Sequence, residues 1–118
     1  MGCDIHGWVE KKVNDKWVAY LELRDRERNY ERFAALAGVR GEGPQAKGVP
    51  PDVSETTKLH IDEEGADGHS HSYMALTEAY KIFRETNRKK FYSEHDAFGV
   101  DDYGEGYGDY RIVFWFDN

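Results

Sequence analysis

Alternating apolar and polar residues open the chain and predict a pair of strands. Residues 3–13 and 16–23 each follow the two-residue period of an extended strand, and the Asn-Asp pair at 14–15 is typical of a two-residue hairpin turn. The simplest register of this hairpin places Val9 opposite Tyr20. Both faces of the first strand carry apolar groups, so we predict that it lies centrally in a sheet, with helices over at least one side.

Two later segments have the apolar spacing of amphipathic helices. In the first, Asn29 is a good N-cap and Gly38 a natural C-cap, and the apolar stripe between them consists of Tyr30, Phe33, Leu36 and Ala37. The second helix is predicted over residues 75–88. A loop rich in Gly and Pro spans residues 38–53. At the end of this loop, Asp52 or Ser54 is expected to cap a short additional helix.

The last eight residues, 111–118, form a nearly continuous apolar run. Such a run is typical of a strand that is buried on both faces, and its expected neighbour in the sheet is the first strand. The sequence therefore predicts a single domain, 1–118, of the α+β class. Its central sheet is mostly antiparallel with the first and last strands adjacent, and two main helices pack on it.

Composition narrows the range of partners. The 118 residues carry a net charge of −7, so the average surface repels nucleic acid and anionic membranes and suits a cation or a basic protein. Cys3 is the single cysteine, which excludes an intramolecular disulfide and predicts a cytoplasmic location. No apolar run approaches the roughly 18 residues that a membrane span needs. The sequence does not exclude a homo-oligomer.

Two short segments carry the candidate chemistry. Asp4 and His6 share one face of the first strand, and His69 and His71 repeat the same two-residue spacing far along the chain. Imidazole and carboxylate donors in this mixture suit a divalent metal such as Zn or Mn. If the fold brings the pairs together, all four residues are metal ligands. The alternative is that Asp4 and His6 make structural hydrogen bonds, and that the other pair lies in an exposed loop.

A metal with an open coordination position would activate water for phosphoester hydrolysis. Asp4, His6 and Asp67 are then the predicted catalytic residues, with Glu10 or Asp67 as the general base. His60 and His95 have less support in the sequence, and they are left out of the predicted site.

A second hypothesis is the binding of a small anionic ligand, such as a phosphorylated nucleotide. Arg28 and Arg40 would bind phosphate through their guanidinium groups, and Tyr30 or Tyr73 would stack on a base. The alternative is that these arginines balance neighbouring carboxylates on the surface.

A third hypothesis is a non-enzymatic inhibitor that binds a host protein. The segment at residues 101–110 is acidic and rich in tyrosine, which suits an interface with a basic surface.

Five short motifs carry a resemblance that covers most of the chain. The chain opens with Met-Gly-Cys-Asp-Ile-His and ends in Phe-Trp-Phe-Asp-Asn, and the internal motifs lie within residues 28–34, 37–41 and 69–73. These motifs resemble a family of small phage-encoded proteins, with Tyr73 standing where Trp is typical. That family has no settled activity. The resemblance thus implies a phage accessory protein in the host cytoplasm, with a role against host defence among the expectations.

Overall fold

Four antiparallel strands form one sheet in the computed structural model, which describes residues 2–24, 27–87 and 109–117. The strands are β1 (Asp4–Val13), β2 (Lys16–Glu22), β3 (Gly68–Ala75) and β4 (Tyr110–Asp117). Their order across the sheet is β2-β1-β4-β3. The first and last strands are therefore central and adjacent, and the α+β prediction is confirmed.

Within the described residues, three helices pack on this sheet: α1 (Tyr30–Ala37), α2 (Glu55–Glu64) and α3 (Leu76–Glu85). The first and third share one hydrophobic core with the sheet, to which Phe33, Phe83 and Phe116 each contribute a fully buried ring. The second lies over the opposite face and is followed by a 3-10 turn, Gly65–Asp67. In the part of the chain that the structure describes, no helix is long and apolar enough to cross a membrane.

The helix caps follow the sequence prediction. The side chain of Asn29 accepts a hydrogen bond from the Arg32 amide at 3.0 Å, and Gly38 takes the left-handed conformation at the C-terminus of α1. Ser54 caps α2 by accepting from the Thr57 amide at 3.3 Å. The second main helix ends at Glu85, three residues before the predicted boundary, which lies outside the described residues.

The hairpin register differs from the prediction by one residue. Asn14 and Asp15 have φ angles of 52° and 62°, as a type I′ turn requires, so the turn itself is correct. A bulge between Val9 and Glu10 then makes Val9 face Leu21 instead of Tyr20. The prediction was wrong because it assumed uninterrupted pairing, whereas the bulge leaves one extra residue in β2.

Polar contacts, more than apolar burial, hold α2 on the sheet. Thr57 is the only residue of this helix that is fully buried. Its hydroxyl donates to Glu10 Oε2 at 2.8 Å, and the Ser54 amide donates to the same oxygen at 3.0 Å. The other Glu10 oxygen accepts from Arg111 Nε at 2.8 Å, and Arg111 also binds Asp52 at 2.9 Å. One buried carboxylate thus joins β1, β4 and the start of α2.

We expect Glu10→Gln to lower the free energy of unfolding by about 3 kcal/mol, because it leaves Asp52, whose side chain is largely exposed, as the remaining charged partner of the buried Arg111 guanidinium. Urea denaturation followed by circular dichroism measures the change. Asp62→Asn is the matched control, since it removes the acid of an exposed pair with Lys58 and is expected to cost less than about 0.5 kcal/mol. Equal losses in the two variants would contradict the structural role of Glu10.

Candidate metal centre

The inward face of α2 carries the chemistry of this region. Its less exposed residues are Thr57, His60, Ile61 and Glu64, which follow the spacing of one helix face. Since His60 and Glu64 are one turn apart, their side chains project together toward β1. Both are partly buried, with 23% and 20% of the side chain exposed.

His6 of β1 completes a group of three. Among the described residues, His6, His60 and Glu64 each offer one ligand atom, and these atoms all lie within 4.8 Å of one another. His6 Nδ1 is 3.8 Å from Glu64 Oε1, and His60 Nε2 is 3.5 Å from the same oxygen. Ligands of a tetrahedral zinc ion are about 3.4 Å apart, given metal–ligand distances near 2.1 Å. The group could therefore hold a metal ion after small side-chain movements.

The ring of His6 is oriented by a carboxylate of β4. His6 Nε2 lies 2.9 Å from Asp117 Oδ2, and a carboxylate can only accept in this bond, so Nε2 carries the proton. In the neutral imidazole, the lone pair of Nδ1 then faces Glu64. A carboxylate behind the imidazole is the arrangement that metal-binding histidines commonly have.

The ring of His60 has a different partner. Trp8 Nε1 donates to His60 Nδ1 at 3.0 Å, and Glu22 Oε2 lies 3.8 Å from the same nitrogen. Because an indole N–H can only donate, Nδ1 of a neutral His60 is the acceptor and Nε2 carries the proton. That proton faces Glu64.

Trp115 forms the floor of the group. The rings of His6 and His71 stack on it with centroid distances of 6.2 and 6.1 Å, and His60 meets it edge-on at 4.9 Å. Trp115 is fully buried, and its indole nitrogen has no hydrogen-bond acceptor among the described residues. Trp115 therefore carries a buried donor whose partner the described residues do not supply.

The four predicted metal ligands do not come together as one set. Asp4 is half exposed, and its carboxylate binds Arg28 at 2.7 and 3.2 Å. Hydrogen bonding from that guanidinium lowers the pKa of Asp4 below its usual value. His71 lies beyond Trp115 from His6, so the row reads histidine, tryptophan, histidine across three strands.

His69 and His71 do not share a face, which corrects the prediction from their spacing. Ser70 has a φ of 55°, and the pairing of β3 with β4 shifts between His69 and Ser72. The extra residue reverses the alternation, so His69 stacks on Phe116 on the core side while His71 stacks on Trp115. The alternative of an exposed loop is also wrong, because both residues belong to β3 and are partly buried.

Neither candidate general base belongs to the group of three converging residues. Glu10 is fully buried and already accepts the three bonds described above, so it is structural. Asp67 is exposed in the 3-10 turn. The sequence prediction left His60 out of the site and did not include Glu64, because apolar positions were used to define the packing face of a helix. The signal was present as a histidine and a glutamate four residues apart in a segment with a helix cap.

The four predicted nucleotide-binding residues lie on two faces of the sheet. Tyr30 packs against Phe33 on the core side, and the guanidinium of Arg40 lies 4.7 Å above the Tyr30 ring. Tyr73 lies on the α2 side, where Lys47 Nζ is 5.0 Å from its ring centroid. Arg28 is engaged with Asp4. One pocket cannot be lined by all four residues.

A cleft of about 270 Å³ opens beside His6. Among the described residues, its lining includes the carboxylates of Asp4, Glu22 and Glu27 and the guanidinium of Arg24, and Asp4 is paired with Arg28. An acidic cleft of this kind attracts cations and repels phosphate groups.

Comparisons of the chain with protein-family models, with curated proteins and with solved structures each give no match. The resemblance to phage-encoded proteins therefore stays a prediction. Residue 95, and residues 101–108 of the acidic, tyrosine-rich segment, lie outside the described residues.

We expect His71 to make stability depend on pH. Burial, and to a smaller extent the nearby His69, lower the pKa of His71 below 6.5, so the folded state binds fewer protons than the unfolded state near that pH. The free energy of unfolding should therefore be highest above pH 6.5 and should fall as the pH drops below it. His71→Gln should flatten this part of the profile.

Urea denaturation from pH 5 to pH 8 measures the effect. His69→Gln is the control, and it should flatten the profile less, because burial of His71 is the larger cause and remains. Identical pH profiles for wild type and His71→Gln would refute the assignment.

Proposed function

We propose that this chain binds a divalent transition metal through His6 Nδ1, His60 Nε2 and a carboxylate oxygen of Glu64. The observation that carries the proposal is the convergence of these three donors, from β1 and α2, within 4.8 Å. Two imidazoles and one carboxylate form a donor set that proteins use for catalytic zinc and for non-haem iron(II). The set differs from the sequence-based one, with which it shares only His6.

The electrostatics of the surroundings support a cation over a phosphorylated nucleotide. Asp117 and Glu22 lie behind the two histidines, at 2.9 and 3.8 Å from a ring nitrogen. Among the described residues of the neighbouring cleft, Glu27 adds a carboxylate and Arg24 a guanidinium, while Asp4 is paired with Arg28. Partial burial strengthens the attraction of these carboxylates for a cation relative to bulk water.

Three protein ligands leave a coordination position for water, and a metal lowers the pKa of such a water toward neutrality. Activation of water is thus the chemistry that this proposed site would supply. The acidic cleft favours a neutral or cationic substrate, so phosphoester hydrolysis is the less favoured reaction. The inhibitor hypothesis and the role against host defence stay predictions, since no contact of the described residues bears on either.

Isothermal titration with Zn²⁺, Mn²⁺ and Co²⁺ tests the proposal. We expect one equivalent of metal to bind, and both His6→Ala and Glu64→Gln to lose most of the affinity. Asp117→Asn should weaken binding by about 10–100-fold, as expected for the partner behind a ligand. Metal at 100 times its dissociation constant should add about 2.7 kcal/mol to the stability.

His69→Ala is the matched control, because it removes a histidine that faces the other side of the sheet. Wild-type affinity is expected there. Absence of stoichiometric binding in the wild type, or an equal loss in His69→Ala, would overturn the proposal.

A further inference from the structure

We infer that Trp8 and Glu22 are alternative partners of His60, and that exchange between them controls access of the metal. This inference rests on the proposed function. Trp8 would hold the metal-free state, in which the proton of His60 occupies the nitrogen that faces the metal position. Glu22 would hold the metal-loaded state, in which the proton has moved to the other nitrogen.

In the metal-free state, a hydrogen bond from Trp8 determines where the proton of His60 lies. Trp8 Nε1 donates to His60 Nδ1 at 3.0 Å. A neutral imidazole has one donor and one acceptor nitrogen, so this bond fixes the proton on Nε2. Nε2 is 3.5 Å from Glu64 Oε1, on the side where the three candidate ligands converge. In this state His60 has no lone pair to offer a metal.

The hydrogen-bond partner of His6 is of the opposite kind to that of His60. Asp117 accepts from His6 Nε2 at 2.9 Å and thereby leaves the lone pair of Nδ1 facing Glu64. His6 is thus prepared for a metal and His60 is not. The difference follows from the partner behind each ring, an acceptor for His6 and a donor for His60.

Metal binding at His60 requires its proton to change nitrogen and Trp8 to move. A bond from His60 Nε2 to a metal needs the lone pair there, so the proton moves to Nδ1. Two N–H groups, those of Trp8 and His60, would then face each other across 3.0 Å, and Trp8 must turn away. A cleft of about 330 Å³, lined by Trp8, Leu59 and His60 among others, gives the indole room to move.

Glu22 is the new hydrogen-bond partner of His60 in the metal-loaded state. Glu22 Oε2 is already 3.8 Å from His60 Nδ1, so a small movement would let it accept the relocated proton. His60 would then have a carboxylate behind it, as His6 has Asp117. Since 56% of the Glu22 side chain is exposed, it is free to make that movement.

Nitrogen-15 NMR of the histidine rings tests the inference directly. In the metal-free wild type we expect the His60 proton on Nε2, and after addition of Zn²⁺ we expect it on Nδ1. A Zn²⁺ titration of Trp8→Phe should show binding that is tighter by about two- to tenfold, the range of one net hydrogen bond. Glu22→Ala should bind Zn²⁺ about 10–100-fold more weakly.

Two matched controls separate this exchange from general effects. Trp17→Phe makes the same substitution on β2, where the ring lies against Arg111, and Zn²⁺ affinity should not change. Glu63→Ala removes one negative charge of α2 near the group, and its effect on Zn²⁺ affinity should be much smaller than that of Glu22→Ala.

The inference would be overturned by a proton on Nδ1 of metal-free His60, or by unchanged Zn²⁺ affinity in Trp8→Phe. The proposed function would still stand in either case if the wild type binds Zn²⁺. If neither protein binds Zn²⁺, the proposed function fails and the exchange fails with it. Zn²⁺ binding that is tighter in Trp8→Phe than in a wild type that also binds would support both, because it would show that Trp8 opposes metal binding at this site.

Discussion

The buried carboxylate of Glu10 determines where α2 lies, and the candidate metal centre depends on that placement. Only one residue of α2 is fully buried, so apolar contact contributes little to its docking. A buried carboxylate is costly unless it is paired and hydrogen-bonded, and Glu10 meets both conditions through Arg111, the Ser54 amide and the Thr57 hydroxyl. The hydrogen bonds that compensate the burial of the Glu10 carboxylate thus also fix α2 against the sheet.

The strand and the helix then bring the site together by their lengths. Glu10 and His6 are four residues apart on one face of β1, which is about 13 Å. Thr57 and Glu64 are seven residues apart on one face of α2, which is about 10 Å. Because Thr57 contacts Glu10 at one end, Glu64 reaches His6 at the other, and the helix runs antiparallel to the strand. The structural contact and the candidate centre are two ends of one interface.

Features that depend on local pattern could be predicted from the sequence. The alternation along β1 did place Glu10, Trp8 and His6 on one face, and the apolar run at the end did identify β4 as the central neighbour of β1. The bulge in β3 could not be predicted, because Ser70 adopts a positive φ that its residue type does not favour. That single residue separates His69 from His71. The pairing of His60 with Glu64 could not be predicted, since the packing face of α2 is polar, contrary to the usual apolar stripe.

The distribution of charge explains why the two histidines have unlike partners. Glu22, Glu64 and Asp117 each lie within 4 Å of a ring nitrogen of His6 or His60, so three carboxylates meet in a partly buried region. Without a cation these carboxylates repel one another, and the indole of Trp8 donates to one ring nitrogen of His60. A divalent cation would neutralise much of this charge and would make a carboxylate, rather than a donor, the better partner for His60.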